Sequence, residues 1–138
     1  MTGTGFWRVF SAGVALAGIV VAARPAAAQT GGDCADVTTQ TQAVICYGQL
    51  MQEAETAMNR KLVMVKSLRR FLEDTELDNG LDAAQLAFVE YRKRTCDSVF
   101  AYRAGASNQY PESLACQLLL DRQRTAALEN LYRASAGP

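Results

Sequence analysis

The sequence contains no histidine, only three prolines and one tryptophan in 138 residues, and no surplus of either charge, with 14 Lys and Arg against 14 Asp and Glu. Without histidine the chain lacks the commonest general base and the commonest transition-metal ligand. Balanced charge argues against a dedicated nucleic-acid binder, which would carry a basic excess. The apolar run at residues 9–23 has 15 residues, short of the ~20 that a membrane-spanning helix needs. What is present suffices for one domain: 49% apolar residues can supply a single core at this length.

The N-terminus has the layout of a secretory leader. Arg8 is the only charge before the apolar run VFSAGVALAGIVVAA, which ends at Arg24 and Pro25. Ala26, Ala27 and Ala28 then offer the small residues that a signal peptidase requires, so cleavage is expected after Ala28. No Arg-Arg pair precedes the run, and Cys34 follows Gly31, Gly32 and Asp33 rather than the run itself, so neither twin-arginine export nor lipid attachment is indicated. The expectation is a cleavable signal over residues 1–28 and a single periplasmic or secreted domain over residues 29–138, with no membrane insertion of the mature chain. Arg8 and Arg24 leave with the leader, so the mature domain is faintly acidic.

In an oxidising compartment Cys34, Cys46, Cys96 and Cys116 are expected to pair. Their spacings of 12, 50 and 20 residues contain no close Cys-x-x-Cys pair, which disfavours zinc. A catalytic thiol has no histidine to activate it. Two structural disulfides follow, each contributing ~2–4 kcal/mol.

Apolar residues recur at threes and fours over residues 39–71: Tyr47, Met51, Ala54, Met58, Leu62, Val65, Leu68, with Leu72 just beyond. This pattern predicts a long amphipathic helix, in which Gly48 costs ~1 kcal/mol relative to Ala. Asn79-Gly80 signals a turn. A second helix is expected over residues 82–103, capped by Asp82, with Ala84, Phe88, Tyr91, Thr95 and Val99 on one face and Gly105 ending it. Pro111 suits the first turn of a third helix, which runs to about residue 133 with Leu114, Leu118, Leu128, Leu131 and Tyr132 as buried candidates. The fold class is therefore all-α, an antiparallel three-helix bundle stapled by two disulfides. That topology brings all four cysteines to one end. Pairing Cys34 with Cys46 and Cys96 with Cys116 is slightly preferred, and links from the first helix to the second or third stay open.

Several motifs fall in a familiar order. Cys34, Thr39-Gln40 and Cys46 are followed by Ala54-Glu55 and Met58-Asn59, then by Ala84-Gln85, Phe88, Tyr91-Arg92 and Cys96. Gly105-Ala106-Ser107 precedes a last block of Cys116, Leu120-Asp121, Arg124 and Leu128. Over residues 34–131 this arrangement resembles the lysozyme-inhibitor LprI-like N-terminal domain family of small exported helical proteins. Glu55, Phe88, Ala106 and Asp121 depart from that family's Asp, Trp, Gly and Thr, at positions read as packing or polar support. The resemblance implies an inhibitor of lysozyme or another cell-wall hydrolase. The alternative is a non-enzymatic envelope interaction or assembly module with another protein partner.

Glu55, Asn59, Arg92 and Arg124 are candidate structural polar residues. Similar depths along their helices predict a Glu55–Arg124 bridge. Two tips are candidate partner surfaces. One is acidic, with Glu73, Asp74, Glu76 and Asp78, and could meet a basic lysozyme. The other is a small polar loop, with Ser107, Asn108 and Tyr110, held near the disulfides. No catalytic residue, cofactor or metal is expected, and the protein is read as a binder rather than an enzyme.

Overall fold

The structure, a computed structural model, describes residues 34–136. The expected leader and its cleavage site lie outside the described residues. The described chain is all-helical, with four helices rather than the three expected: α1 Gln40–Lys66, α2 Arg69–Glu73, α3 Thr75–Tyr102 and α4 Gln109–Ala136.

Side-chain caps set the starts of α1 and α3. Thr39 accepts from the Gln42 backbone N–H at 3.2 Å, and the Gln42 side chain accepts from the Thr39 N–H at 3.2 Å, which satisfies two otherwise unpaired donors. α1 stops at Lys66, earlier than its apolar period suggests. Ser67 donates its hydroxyl to the Met64 carbonyl at 2.7 Å, and Leu68 is extended, with φ −67° and ψ 138°. The chain is thereby redirected into the one-turn α2, which buries Phe71 and leaves Leu72 72% exposed. Leu72 therefore does not belong to the buried stripe of α1.

The expected turn at Asn79-Gly80 is also corrected, because both residues lie inside α3. The cap is Asp74, whose carboxylate accepts from the Leu77 N–H at 3.0 Å. Glu76 and Asp78 occupy the first turn, where acids favour the positive helix end. Burial of Leu81, with Leu77 packed against the same core, then carries the dipeptide through in helical form. Asp82 is not a cap and instead accepts from Lys66 Nζ at 2.7 and 2.8 Å. At the far end α3 stops before Arg103, and Gly105 adopts φ 82°, a left-handed conformation that glycine takes without strain. Pro111 sits in the first turn of α4, where its missing N–H removes no helical bond.

α4 packs along both α1 and α3, and α2 packs on α3. Met58 and Val65 of α1, Phe71 of α2, Leu81 of α3 and Leu128 of α4 form the core, with Leu62, Leu68, Leu77, Phe88 and Tyr132 packed against it. Tyr91 and Leu131, expected inside, are 57% and 37% exposed, and Ala84 is exposed as well. The inward stripe of α3 runs through Leu81, Gln85, Phe88, Arg92 and Cys96. Two of those five are polar, so a reading of apolar residues alone rotates the helix slightly. Disulfides join Cys34 to Cys46 and Cys96 to Cys116, with Cα separations of 6.2 and 5.6 Å. No helix among the described residues is long and apolar enough to cross a membrane.

Candidate functional site

Arg92 reaches from α3 to both other long helices. Its Nη1 donates to the two Asp121 carboxylate oxygens at 2.6 and 2.7 Å, and its Nη2 donates to Glu55 Oε1 at 3.3 Å. Asp121 is 0% exposed. Burial is the largest influence on its carboxyl and lifts it above the ordinary value, against the pull of Arg92. Burial likewise opposes the Arg92 charge, but hydrogen bonds and attraction from Asp121 and Glu55 outweigh it and hold the guanidinium above its ordinary value. Two charge-assisted bonds to a group that does not lose its proton keep the pair ionised. Both carboxylates are engaged by the arginine, so the cluster clamps α1, α3 and α4 together.

The Glu55–Arg124 bridge expected from helix depth is replaced by other partners. Arg124 donates Nε to Gln85 Oε1 at 3.0 Å and stacks its guanidinium 5.7 Å from the Phe88 ring centroid. Its Nη2 is buried and finds no hydrogen-bond partner among the described residues. Equal depth does not mean equal face: Glu55 meets Arg92, whose other carboxylate, Asp121, lies one turn before Arg124 on α4. Asn59 is exposed on α1 and stands apart from this network.

At the α2 end most of the acids have internal work. Glu73 accepts from Arg69 at 2.7 Å, Asp74 caps α3, and Asp78 and Asp82 converge on Lys66 at 3.3 and 2.7 Å. Asp82, with Asp78 assisting, raises the Lys66 ammonium above its ordinary value although burial pulls the other way. Glu76 is exposed. Beside these acids lies an open groove of about 450 Å³, floored by Phe71, Leu77, Leu81 and Leu131 and edged by Asp74, Glu76 and Gly80.

The opposite loop is tied to its own helices. Asn108 donates to Glu112, which also receives Arg103 Nε at 2.5 Å. Gln109 Nε2 donates to the Phe100 carbonyl at 3.0 Å, and the Tyr110 ring meets Phe100 edge-on with centroids 4.9 Å apart. Ser107 is exposed. A second groove of about 610 Å³ runs past Tyr47, Val99, Pro111 and Leu119, and its Arg103 and Glu112 are paired with each other. Among the described residues no group of three or more His, Cys, Asp or Glu is arranged to hold a metal.

Asp121 and Gln85 were not among the candidate residues, yet both left a signal. Asp121 lies three residues after Leu118 and seven before Leu128, on the buried face of α4. Gln85 lies seven residues before Arg92, on the same face of α3. The acidic edge of the groove was among the candidate surfaces, but its apolar floor has no such signal, because it draws on α2, α3 and α4 and depends on the break at Leu68.

Among curated proteins and among solved structures, none matches the chain. Residues 34–128, from the first cysteine to the core residue Leu128, match the family described as lysozyme inhibitor LprI, and the chain belongs to that family.

Proposed function

We propose that this protein is an exported, non-enzymatic binding protein that inhibits a lysozyme or a related cell-wall hydrolase. The carrying observation is the family match, whose span takes in both disulfides and the Glu55–Arg92–Asp121 clamp. The disulfides suit an oxidising compartment. In this reading residues 1–28 are a leader removed after Ala28, and residues 29–138 work as one domain in the periplasm or outside the cell.

We further read α1, α3 and α4 as an antiparallel bundle. Contacts between α1 and α3 run in opposite sequence order (Glu55 with Arg92, Met58 with Gln85, Lys66 with Asp82). So do those between α3 and α4, where Gln85 meets Arg124, Arg92 meets Asp121 and Cys96 meets Cys116. Such a stapled scaffold loses little entropy when it docks, which favours a binding role.

The test is lysis of wall substrate by several lysozyme types with the purified oxidised domain added. A dose-dependent slowing with at least one type supports the reading. Unchanged rates with all of them, together with recovery of an unrelated envelope protein in a pull-down, would replace it with an assembly role.

A further inference from the structure

We infer that the groove edged by Asp74 and Glu76 is the docking surface for a cationic segment of the hydrolase, an assignment that rests on the inhibitory function proposed above. The groove combines what a protein anchor needs: an apolar floor of Phe71, Leu77, Leu81 and Leu131, open to solvent, in a volume of about 450 Å³. That space accommodates one large side chain and its neighbours, the usual form of an interface hot spot.

Charge decides the occupant. Asp78 and Asp82 share Lys66, and Glu73 holds Arg69. Asp74 spends one carboxylate oxygen on the Leu77 N–H and keeps its negative charge. Glu76 stands exposed beside it. Arg70, exposed on α2 beside Phe71, offsets one of these charges, and the rim still presents net negative charge around an apolar floor, matching a basic partner that offers lysine or arginine flanking an apolar side chain. The larger groove at the disulfide end lacks this bias, since its Arg103 and Glu112 neutralise each other.

Gly80 supplies a means of testing the surface without damaging the fold. It is helical, and a Cβ added there would meet open space. A side chain at this position would project at the groove while removing a residue that weakens helices.

The experiment measures binding and inhibition of a basic c-type lysozyme by the full oxidised domain and three variants. Glu76→Lys reverses the rim charge, Gly80→Trp fills the groove, and Asn108→Ala changes the opposite tip. The expected result is a loss of affinity of about tenfold or more for the first two, no change for the third, and weakening of the wild-type complex as salt rises. Thermal melts of each variant confirm that the fold persists. If the wild type inhibits and both groove variants inhibit equally well, the groove assignment fails while the inhibitory function stands. If the wild type itself neither binds nor inhibits, the function fails and the groove assignment with it.

Discussion

Asp121 has its whole side chain out of water, and Arg92 is 12% exposed at its side chain. A buried ion pair gains little over a well-packed apolar pair, but breaking it strands a charge. Asp121→Ala should therefore cost about 3–5 kcal/mol, read from urea unfolding midpoints. The double variant Arg92→Met/Asp121→Leu should recover most of that loss, because no charge is left uncompensated in the interior. Glu55, with 42% of its side chain exposed, can then turn to solvent. A single variant that unfolds at the wild-type midpoint would show that the pair holds nothing together. Arg124 is a different case: its guanidinium leans on Phe88 and gives one bond to Gln85. The inward positions of Arg92 and Arg124 were readable from their spacings to Phe88 and Cys116, four and eight residues respectively, whereas the choice of partner was not. Partner choice depends on the rotation of three helices about their axes, and a single residue of error moves an acid to another face.

At the scale of the helix, contacts between elements set the response to acid and to oxidation. Lys61 of α1 pairs with Glu129 of α4, and Arg133 adds a second bond at 2.8 Å. These partners, Lys61 foremost, hold the Glu129 carboxyl below its ordinary value of 4.5. A carboxyl lowered by folding adds stability above its unfolded value, and that stability is lost as pH falls through 4.5 and below. Glu129→Gln should thus lower stability at pH 7 and flatten the acid limb of a stability-against-pH curve. A variant curve parallel to the wild-type one would rule out this linkage. The two disulfides should differ in the same kind of measurement. Cys96–Cys116 closes a 20-residue loop between two packed helices, and its serine pair should lose about 3 kcal/mol. Cys34–Cys46 closes a shorter loop of 12 residues on an arm that Thr38 and Thr39 already hold to Gln42 by hydrogen bonds, so its serine pair should lose somewhat less. The long helices and the left-handed Gly105 were legible because periodicity and local conformational preference both speak for them. The break at Leu68 was not, since no proline or glycine marks it and the burial of Phe71 on other helices enforces it. Asn79-Gly80 misled for the converse reason: a local turn preference yields to a cap five residues upstream and to the burial of Leu81.

At the scale of the whole fold, the core cluster among the described residues is small: Met58, Val65, Phe71, Leu81 and Leu128 are its buried members. Domains of this size bury a modest fraction of their surface and sit a few kcal/mol above unfolding, so covalent staples are a large share of the margin. Stability and place of action are thereby linked, because the staples close only where thiols oxidise. A variant with serine at residues 34, 46, 96 and 116 is a cleaner probe of this link than a reductant, which would also attack the hydrolase if it carries disulfides of its own. Such a variant should lose cooperative unfolding near 37 °C, seen as a broadened circular-dichroism melt, since removing native disulfides from small exported domains often abolishes folding there. The inhibition proposed above should be lost in step, because the proposed docking surface draws on α2, α3 and α4 and needs those helices held together. Adding substrate-free hydrolase in excess should restore part of the fold if binding and folding are coupled, and the melt should then sharpen with hydrolase concentration. Full inhibition by a serine variant that shows no cooperative melt would mean that binding resides in a linear segment. The helical scaffold would then serve solubility or survival outside the cytoplasm, not recognition.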